Sequence, residues 1–303
     1  MIKPPDLKKG DSIYICTPAK AIDKELVLVA KKQIEDRGYK VIVSENCFGK
    51  NNYFSGSDEE RSADLQFGID HEEVKAIFCA RGGYGSVRIL DSLNWANMLR
   101  EPKWLVGYSD ITVFHQRLNK LGIQSIHGTM PFNFGSNSNQ ALTSLFSALE
   151  NTDYVVSAKL NESNCPGKAN GMLIGGNLSI VYSLLGTNDS YLFEDKILFI
   201  EDISEHYYQL DRILFTLKKA GVFEAIKGLV IGGMTDIQDT EVPFGMSIEE
   251  IVLQHFKFRK IPLGFDFPVG HISDNQALIV GANVQLTVDE KGSQLSYNKL
   301  FIN

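Results

Sequence analysis

The first half of the chain alternates short apolar runs with amphipathic helical patterns, and this alternation constrains the fold more than any other feature. The strand-like runs DSIYIC, YKVIVS, VKAIFC and WLVG each end in turn residues, and a helical pattern follows each run. In KELVLVAKKQIEDRG the apolar positions recur at helical spacing, whereas SGSDEERSADLQFGID opens with Ser and acidic residues, as a capped helix does. Such alternation predicts a parallel sheet covered by helices on both faces.

The pattern changes after residue 135. Two polar stretches, FNFGSNSNQ and NESNCPGKANG, lie on either side of a helical run and a strand-like run. We interpret residues 136–170 as a connection between an N-terminal α/β domain (residues 1–135) and a C-terminal domain (residues 171–303). The C-terminal part mixes helix and strand patterns and ends in alternating strands around a DEKG turn. We therefore predict a mixed α/β domain rich in β-strand for it.

Composition narrows the class of protein. The 303 residues include 30 Lys and Arg and 37 Asp and Glu, a formal net charge of -7, and this balance argues against a nucleic-acid-binding protein. The N-terminus lacks the apolar core of a secretory signal, and no apolar run approaches the ~18 residues of a membrane span. The four cysteines show no CxxC spacing and lie mostly in apolar runs, which is typical of buried thiols. We expect a cytoplasmic protein.

Loops that leave the carboxyl ends of parallel strands are the usual ligand sites of such a sheet. One of them is the glycine-rich run ARGGYGS. It does not fit a dinucleotide fingerprint, because Arg88 stands where the third glycine belongs, and it lacks the Lys-Ser/Thr pair of a P-loop. Its backbone N–H groups could bind an anion or a developing oxyanion, or the run could be only a tight turn. Arg81 could pair with a substrate carboxylate or lie free on the surface.

The stretch WLVGYSDITVF passes from a strand pattern into a helical pattern at Ser109. A serine at such a corner can cap the helix by accepting a backbone N–H bond. Alternatively, it is a nucleophile presented on a tight strand-to-helix turn. A serine nucleophile needs a general base and usually an acid that orients the base. The residues around Ser109 leave both interpretations open.

Two of the six histidines have the context of a loop base. His127 in SIHGTM and His271 in PVGH each follow an apolar run and neighbour a glycine, and local sequence does not separate them. His71 and His255 lie in charged or amphipathic helical patterns, so we expect both to be solvated. His115 follows Ser109 on the same helix and should point to another side, which favours a core or surface role.

The candidate acids lie together at the end of one strand. Glu201 ends the apolar run KILFIE, where a buried carboxylate is costly unless it has a partner. Asp202 and Glu205 are close alternatives, and any of the three could instead be structural or solvated.

Five segments, RGGYG, GYSD, GGNLS, FIEDISEHYYQLDR and PVGH, resemble in this order the LD-carboxypeptidase family of serine peptidases. The likeness covers essentially the whole chain. The family includes the muramoyltetrapeptide carboxypeptidases and the microcin C self-immunity peptidases. The resemblance implies that an N-terminal parallel α/β domain supplies the nucleophile, Ser109. A C-terminal domain then supplies the acid, Glu201, and the base, His271.

The resemblance also assigns supporting roles. It implies an oxyanion hole made of the backbone N–H groups of Gly83 and Asp110, and it places His127 in the substrate pocket or in packing. Arg81 is our candidate for binding a substrate carboxylate. Hydrolysis through an acyl-enzyme requires no metal and no cofactor. The relatives further imply a homodimer.

Two substrate classes follow from the resemblance. Muramoyltetrapeptide carboxypeptidases release terminal D-alanine from cytoplasmic murein tetrapeptides in cell-wall recycling, and this is the activity we expect. Self-immunity peptidases hydrolyse microcin C-like acyl-nucleotide conjugates and stack the nucleobase on a tryptophan from the second half of the chain. Here Trp95 and Trp104 both lie in the first half, which weakens this substrate class, although a Tyr or Phe could take the place of the tryptophan. A non-catalytic small-molecule binding protein and a hydride-transferring enzyme are alternatives from other classes, the second weakened by the broken fingerprint.

Overall fold

The structure is a computed structural model in which residues 1–150 and 154–297 are described. It divides into two compact units, one of residues Met1–Thr152 and Ser273–Val280, the other of Asp153–Ile272 and Gly281–Asn303. The segment predicted as an inter-domain connection, residues 136–170, contributes to both units. Its helix belongs to the first unit, and the strands that follow belong to the second.

Among the described residues, the first unit contains a six-stranded sheet with the order β11-β5-β4-β3-β1-β2. Neighbouring strands from β2 to β5 pair in parallel, as the alternation of strands and helices predicts. The pair of β11 with β5 is antiparallel, and β11, from a late segment of the chain, forms an edge strand of this sheet. The strands are β1 (Ser12–Cys16), β2 (Lys40–Val43), β3 (Val74–Cys79), β4 (Trp104–Gly107), β5 (Ser125–His127) and β11 (Leu278–Val280).

Helices of the first unit follow its strands. They are α1 (Lys24–Asp36), α2 (Asp58–Asp70), α3 (Ser86–Ile89), α4 (Ala96–Arg100), α5 (Thr112–Lys120) and α6 (Asn139–Glu150). The predicted cap of α2 is confirmed. The Ser57 hydroxyl accepts a bond from the Glu60 N–H at 3.2 Å, and the Glu60 carboxylate accepts one from the Ser57 N–H at 2.7 Å. This reciprocal pair satisfies two N–H groups that the first turn leaves free.

The strand order reverses between β1 and β3. In an open α/β sheet, ligands bind in the crevice at such a switch point, outside the carboxyl ends of the strands. The loops beside it are residues 17–20 after β1 and residues 80–85 after β3. The glycine-rich run therefore occupies the position where this fold usually binds a ligand.

The second unit contains a mixed sheet, seven-stranded over the described residues, with the order β10-β9-β8-β7-β12-β13-β6. In this order, the first four strands (β10, β9, β8 and β7) pair in parallel with their neighbours. From β7 onward, the neighbours β7, β12, β13 and β6 pair antiparallel. The strands are β6 (Val155–Ala158), β7 (Gly167–Asn177), β8 (Ile197–Ile203), β9 (Gly228–Thr235), β10 (Leu263–Gly264), β12 (Asn283–Asp289) and β13 (Gly292–Tyr297). The helices are α7 (Leu178–Ser183), α8 (Tyr207–Lys219), α9 (Val222–Ala225) and α10 (Ile248–Leu253).

The two sheets supply much of the buried apolar core. Every residue of β1 and β4 is buried, and β8 is buried from Ile197 to Asp202. Strands covered on both faces read as continuous apolar runs, which explains why the sequence made them recognisable. Over residues 1–150 and 154–297, no helix is long and apolar enough to span a membrane.

Candidate active site

Ser109 lies at a sharp strand-to-helix corner of the first unit. Strand β4 ends at Gly107, a single 3₁₀ turn covers Ser109–Ile111, and helix α5 begins at Thr112. The φ angle of Ser109 is +64°, a left-handed conformation that costs a non-glycine residue on the order of 1–3 kcal/mol. Backbone strain of this kind is concentrated at functional sites, because the surrounding structure must hold it in place.

The helix-cap interpretation of Ser109 is wrong. The residue preceding the 3₁₀ turn is Tyr108, and the residue preceding α5 is Ile111. For these described residues, neither start carries a side-chain capping bond. The Ser109 hydroxyl is therefore not occupied in starting the helix, and the alternative of a presented nucleophile gains support.

The glycine turn after β3 packs directly against this serine. A Cβ placed on Gly82 would lie 2.9 Å from the Ser109 Cβ and 3.1 Å from its Oγ, so a larger residue would displace the serine. Gly83 and Gly85 have φ angles of +105° and +138°, which L-residues with side chains rarely adopt. The turn is thus built for close approach to the serine corner.

Asp110 links the serine corner to the same turn. Its side chain is 1% exposed, and its Oδ2 accepts a hydrogen bond from the Ser86 N–H at 2.8 Å. Burial raises the pKa of Asp110, whereas the bonds from Ser86 and the charge of Arg61 act to lower it. The backbone N–H of Asp110, the residue after the candidate nucleophile, lies where serine hydrolases of this corner type place an oxyanion donor.

Two cations lie at the strand ends beside the glycine turn. The Arg81 Nη1 donates to the Ala21 carbonyl at 3.1 Å, and its guanidinium lies 4.4 Å from the centre of the Phe132 ring. Arg81 is half-buried and held in place, so the prediction of a freely exposed surface arginine does not apply to it. Lys20, in the loop after β1, was not predicted from the sequence, and its ammonium lies 4.8 Å from the centre of the Tyr53 ring.

His127 and His115 lie in the core behind the serine corner. His127 is fully buried, with its ring edge-to-face against Tyr108 at 5.8 Å and against His115 at 6.2 Å. This burial favours the packing role of the two roles predicted for His127. His115 donates from Nε2 to the Gly107 carbonyl at 2.8 Å and contacts the Ser125 hydroxyl at 2.8 Å through Nδ1. Burial lowers the pKa of His115 to about 4, so the ring that bonds the Gly107 carbonyl, at the end of β4, is neutral.

In the second unit, Glu201 and His271 form a buried acid–base pair. The Glu201 side chain is 0% exposed and that of His271 is 14% exposed. The His271 Nδ1 and the Glu201 Oε2 are 2.6 Å apart, and the His271 backbone N–H donates to the same oxygen at 3.3 Å. A carboxylate only accepts hydrogen bonds, so Nδ1 carries the proton and the lone pair of the neutral ring is on Nε2. This arrangement is that of a histidine oriented to act as a base.

Glycines make room for this pair. Gly270, next to His271, has a φ angle of +99°, and a Cβ placed on it would lie 2.5 Å from the Glu201 Oε2. Opposite Glu201 the register between β8 and β9 shifts by one residue, so that Gly232 and Gly233 face a single residue of β8. A Cβ placed on Gly232 would lie 3.2 Å from the Glu201 Cβ and 2.7 Å from the Val269 carbonyl oxygen, so Gly270 and Gly232 are both required by close contacts around Glu201.

Charges around His271 determine its protonation. Burial acts to lower the pKa of His271, but the charge and hydrogen bond of Glu201, together with the charge of Asp202, outweigh it and raise the pKa. The Asp202 carboxylate is bonded to the end of β7 and the start of α7. It accepts bonds from the Asn177 amide at 2.8 Å and from the Ser179 N–H and hydroxyl at 2.9 and 2.7 Å. Of the three candidate acids, Glu201 is bonded to His271.

The prediction that His255 is solvated is wrong, because this side chain is 8% exposed and its ring lies 4.7 Å from Phe215 and 5.4 Å from Phe223. Within the described ranges, no group of three or more His, Cys, Asp or Glu side chains could hold a metal ion.

The predicted site residues thus form two groups. Ser109, Asp110 and Gly83 lie together in the first unit, at the carboxyl edge of its sheet. Glu201 and His271 are bonded to each other in the second unit.

Comparison with known families covers both units. Residues 13–128 match the N-terminal domain of LD-carboxypeptidases, and residues 170–286 match their C-terminal domain.

The chain is similar to individual proteins along nearly its whole length. It is 32% identical over 295 residues to the probable murein peptide carboxypeptidase of Bacillus subtilis (strain 168). That alignment covers 95% of this chain and 92% of the other protein. The crystal structure of muramoyltetrapeptide carboxypeptidase from Oxalobacter formigenes has a TM-score of 0.87 and 28% identity, covering 95% of this chain and 99% of that one. The microcin C7 self immunity protein MccF, in complex with aspartyl sulfamoyl adenosine, has a TM-score of 0.87 at 20% identity, covering 98% and 99%. At that identity the likeness concerns the fold. The predicted two-domain α/β architecture is confirmed.

Proposed function

This chain belongs to the LD-carboxypeptidase family of serine peptidases, and we propose that it releases the terminal D-alanine from cytoplasmic murein tetrapeptides. The activity would serve cell-wall recycling. The names of its relatives support a murein peptide as substrate, since both a bacterial protein at 32% identity and a solved structure at 28% identity carry such names.

The observation that carries the proposal is the bond of 2.6 Å between His271 and Glu201. A fully buried carboxylate is costly, and this one is placed against the nitrogen of a histidine that remains partly exposed. Such a pair fixes the tautomer of the ring and stabilises its protonated form during catalysis. The left-handed conformation of Ser109 supports the second half of the proposal, a serine presented at a strand-to-helix corner.

In the proposed mechanism, the Nε2 of His271 takes the proton of the Ser109 hydroxyl as the oxygen attacks the scissile carbonyl. The backbone N–H groups of Gly83 and Asp110 stabilise the oxyanion of the tetrahedral intermediate, each contributing on the order of 3 kcal/mol in the transition state. His271 then gives the proton to the amine of the departing D-alanine. Water, activated by the same histidine, hydrolyses the acyl-enzyme and restores Ser109.

A murein tetrapeptide carries several carboxylates, so the site requires cations. Arg81 offers a planar guanidinium at the end of β3, and Lys20 offers an ammonium at the end of β1, beside Gly83. We propose that these two residues bind substrate carboxylates. Their fixed positions at the switch point of the sheet support this role.

The nucleotide-conjugate alternative finds less support. Trp95 is 6% exposed and Trp104 is 0% exposed, and both pack into the core of the first unit. Neither indole is available to stack on a nucleobase. The likeness to the self immunity protein, at 20% identity, supports the shared fold and not a shared substrate.

The experiment is D-alanine release from L-Ala-γ-D-Glu-meso-diaminopimelate-D-Ala. Wild-type protein should release D-alanine, Ser109→Ala and His271→Ala should not, and the exposed serine variant Ser92→Ala should match the wild type. Equal release by Ser109→Ala would contradict the assigned nucleophile. Release from an acyl-sulfamoyl nucleotide but not from the tetrapeptide would favour the self-immunity activity, and ligand binding without turnover would favour a binding protein.

A further inference from the structure

One peptide group of the glycine turn is held from both sides by charged side chains. The carbonyl of Gly85 accepts a hydrogen bond from the Arg61 Nη1 at 3.0 Å. The N–H of Ser86, in the same peptide group, donates to the Asp110 Oδ2 at 2.8 Å. A cation thus binds the oxygen and an anion binds the nitrogen of the Gly85–Ser86 peptide. Bonds to charged groups are shorter and stronger than those between neutral groups, so this contact fixes the turn firmly.

Both charges are buried, which calls for an explanation. Arg61 and Asp110 are each 1% exposed. Burying a charge costs several kcal/mol unless partners compensate it, and an apolar pair of similar size is often no less stable. Arg61 has partners in two other segments of the chain as well as on its own helix. Besides Gly85, it donates to the Pro18 carbonyl and to the Asp58 carboxylate. It therefore joins the loop after β1 to the turn after β3.

The turn that these charges hold also carries groups of the proposed active site. Gly83 lies two residues before Gly85, and Gly82 packs against Ser109 at distances that leave no room for a Cβ. Asp110 follows Ser109 directly in the chain. A shift of the Gly85–Ser86 peptide would therefore move the Gly83 N–H relative to the serine hydroxyl.

We propose that Arg61 and Asp110 are positioning residues, which hold the Gly85–Ser86 peptide so that the Gly83 N–H faces the oxyanion formed at Ser109. The inference rests on the proposed function, because it needs Ser109 as the nucleophile and Gly83 as an oxyanion donor. In this account Asp110 acts twice, through its own backbone N–H and through its carboxylate. Arg61 does not contact the substrate.

A purely structural role predicts a different result from a positioning role. Loss of stability without loss of geometry lowers the melting temperature and leaves kcat of the folded enzyme unchanged. Misplacement of an oxyanion donor lowers kcat and leaves KM nearly unchanged, because the oxyanion exists only in the transition state. A misplacement of about 1 Å can lower the rate by roughly 100-fold, similar to the loss of one donor.

The test uses Asp110→Ala, Asp110→Asn and Arg61→Lys, with Asp64→Asn as a matched control. Asp64 is a buried carboxylate on the same helix as Arg61, but it accepts its bonds from Asn46, away from the turn. For each protein we would measure melting temperature, kcat and KM for D-alanine release, and the rate at which a fluorophosphonate labels Ser109. The phosphoryl oxygen of this probe needs the same oxyanion donors, whichever peptide is the true substrate.

We expect Asp110→Ala and Arg61→Lys to lower kcat and the labelling rate roughly 10- to 100-fold, with KM little changed. Asp110→Asn should lose less, because its amide oxygen still accepts from Ser86. The double variant Asp110→Ala with Arg61→Lys should lose little more kcat than the slower of the two single variants, since both residues act on one peptide group. Asp64→Asn should keep the wild-type kcat, even if its melting temperature falls.

Two failures can be told apart. If the wild type is active and labelled while Asp110→Ala and Arg61→Lys remain folded and equally fast, the positioning role is refuted and the proposed function stands. Equal kcat losses in Asp64→Asn would likewise refute it, because the effect would then come from general destabilisation. A wild type that neither releases D-alanine nor is labelled at Ser109 contradicts the proposed function, and this inference with it.

Discussion

Replacement of Gly270 by alanine tests how closely the chain is fitted around the acid–base pair. In the structure, a Cβ at this position would lie 2.5 Å from the Glu201 Oε2 and 2.6 Å from its Cβ and Cγ. Ordinary contacts begin at about 3.4 Å, so Glu201 or the backbone before His271 must move by roughly 1 Å. Because a displacement of that size in catalytic geometry can lower the rate by about 100-fold, we expect Gly270→Ala to lower kcat by this factor.

The change also strains the backbone, and a second glycine separates the two effects. Gly270 has a φ angle of +99° and Gly186, in the same unit, has +80°, but a Cβ on Gly186 would meet no atom within 4 Å among the described residues. Both alanine variants should lose about 1 kcal/mol of folding free energy from the positive φ angle. Only Gly270→Ala should lose activity.

The assay is D-alanine release by each variant, measured beside its thermal unfolding. Wild-type kcat in Gly270→Ala would refute the reasoning, since it would show that the Glu201–His271 geometry either does not shift or does not matter. A loss of kcat in Gly186→Ala equal to that in Gly270→Ala would also refute it, because strain in the backbone would then account for both.

Two further predictions follow from protonation. Glu201 raises the pKa of His271, and the proposed base must be neutral, so kcat/KM should rise with pH through a value above 6.5. Glu201→Gln should lower the maximum value of kcat/KM and shift this rise to lower pH. A rise at the same pH in Glu201→Gln would exclude His271 as the titrating base. Burial lowers the pKa of His255 to about 4, so the unfolded chain binds a proton below pH 6.5 that the folded chain does not, and stability falls between pH 6.5 and 4. The loss of folding free energy is about 2 kcal/mol at pH 5, and His255→Phe should remove it. The measurement is the melting temperature of both proteins as a function of pH. The same pH dependence in both would contradict a buried, neutral His255.

Much of the first unit follows from sequence pattern. The strands β1 and β4 are buried at every residue and read as mostly apolar runs, β3 is buried except at Lys75, and the glycines and caps between them mark the turns. Strand β11 could not be predicted as part of this sheet. It lies 151 positions after β5, with most of the second unit between them, and local sequence carries no record of such a pairing.

The site was predictable in part. The corner at Ser109 is visible because a strand pattern meets a helical pattern there. The bond between Glu201 and His271 joins residues 70 positions apart, and only the family resemblance indicated it. Arg61 was missed because DEERSAD has the composition of a solvated helix start. Its burial depends on carbonyl groups of Pro18 and Gly85, which come from two distant loops.

His255 shows the converse error. Its neighbours in sequence form an amphipathic helical pattern, which suggests a solvated ring. The structure surrounds the ring with Phe215 and Phe223 from other segments, so its environment is set by tertiary packing.

The central proposal is that His271 acts as the base that activates Ser109. The most direct test is to label the protein with a fluorophosphonate, locate the modified residue by mass spectrometry, and compare the labelling rate of the wild type with that of His271→Ala. We expect modification of Ser109 in the wild type, and a labelling rate at least about 100-fold lower in His271→Ala. Modification of another residue, or of Ser109 at the same rate without His271, would contradict it.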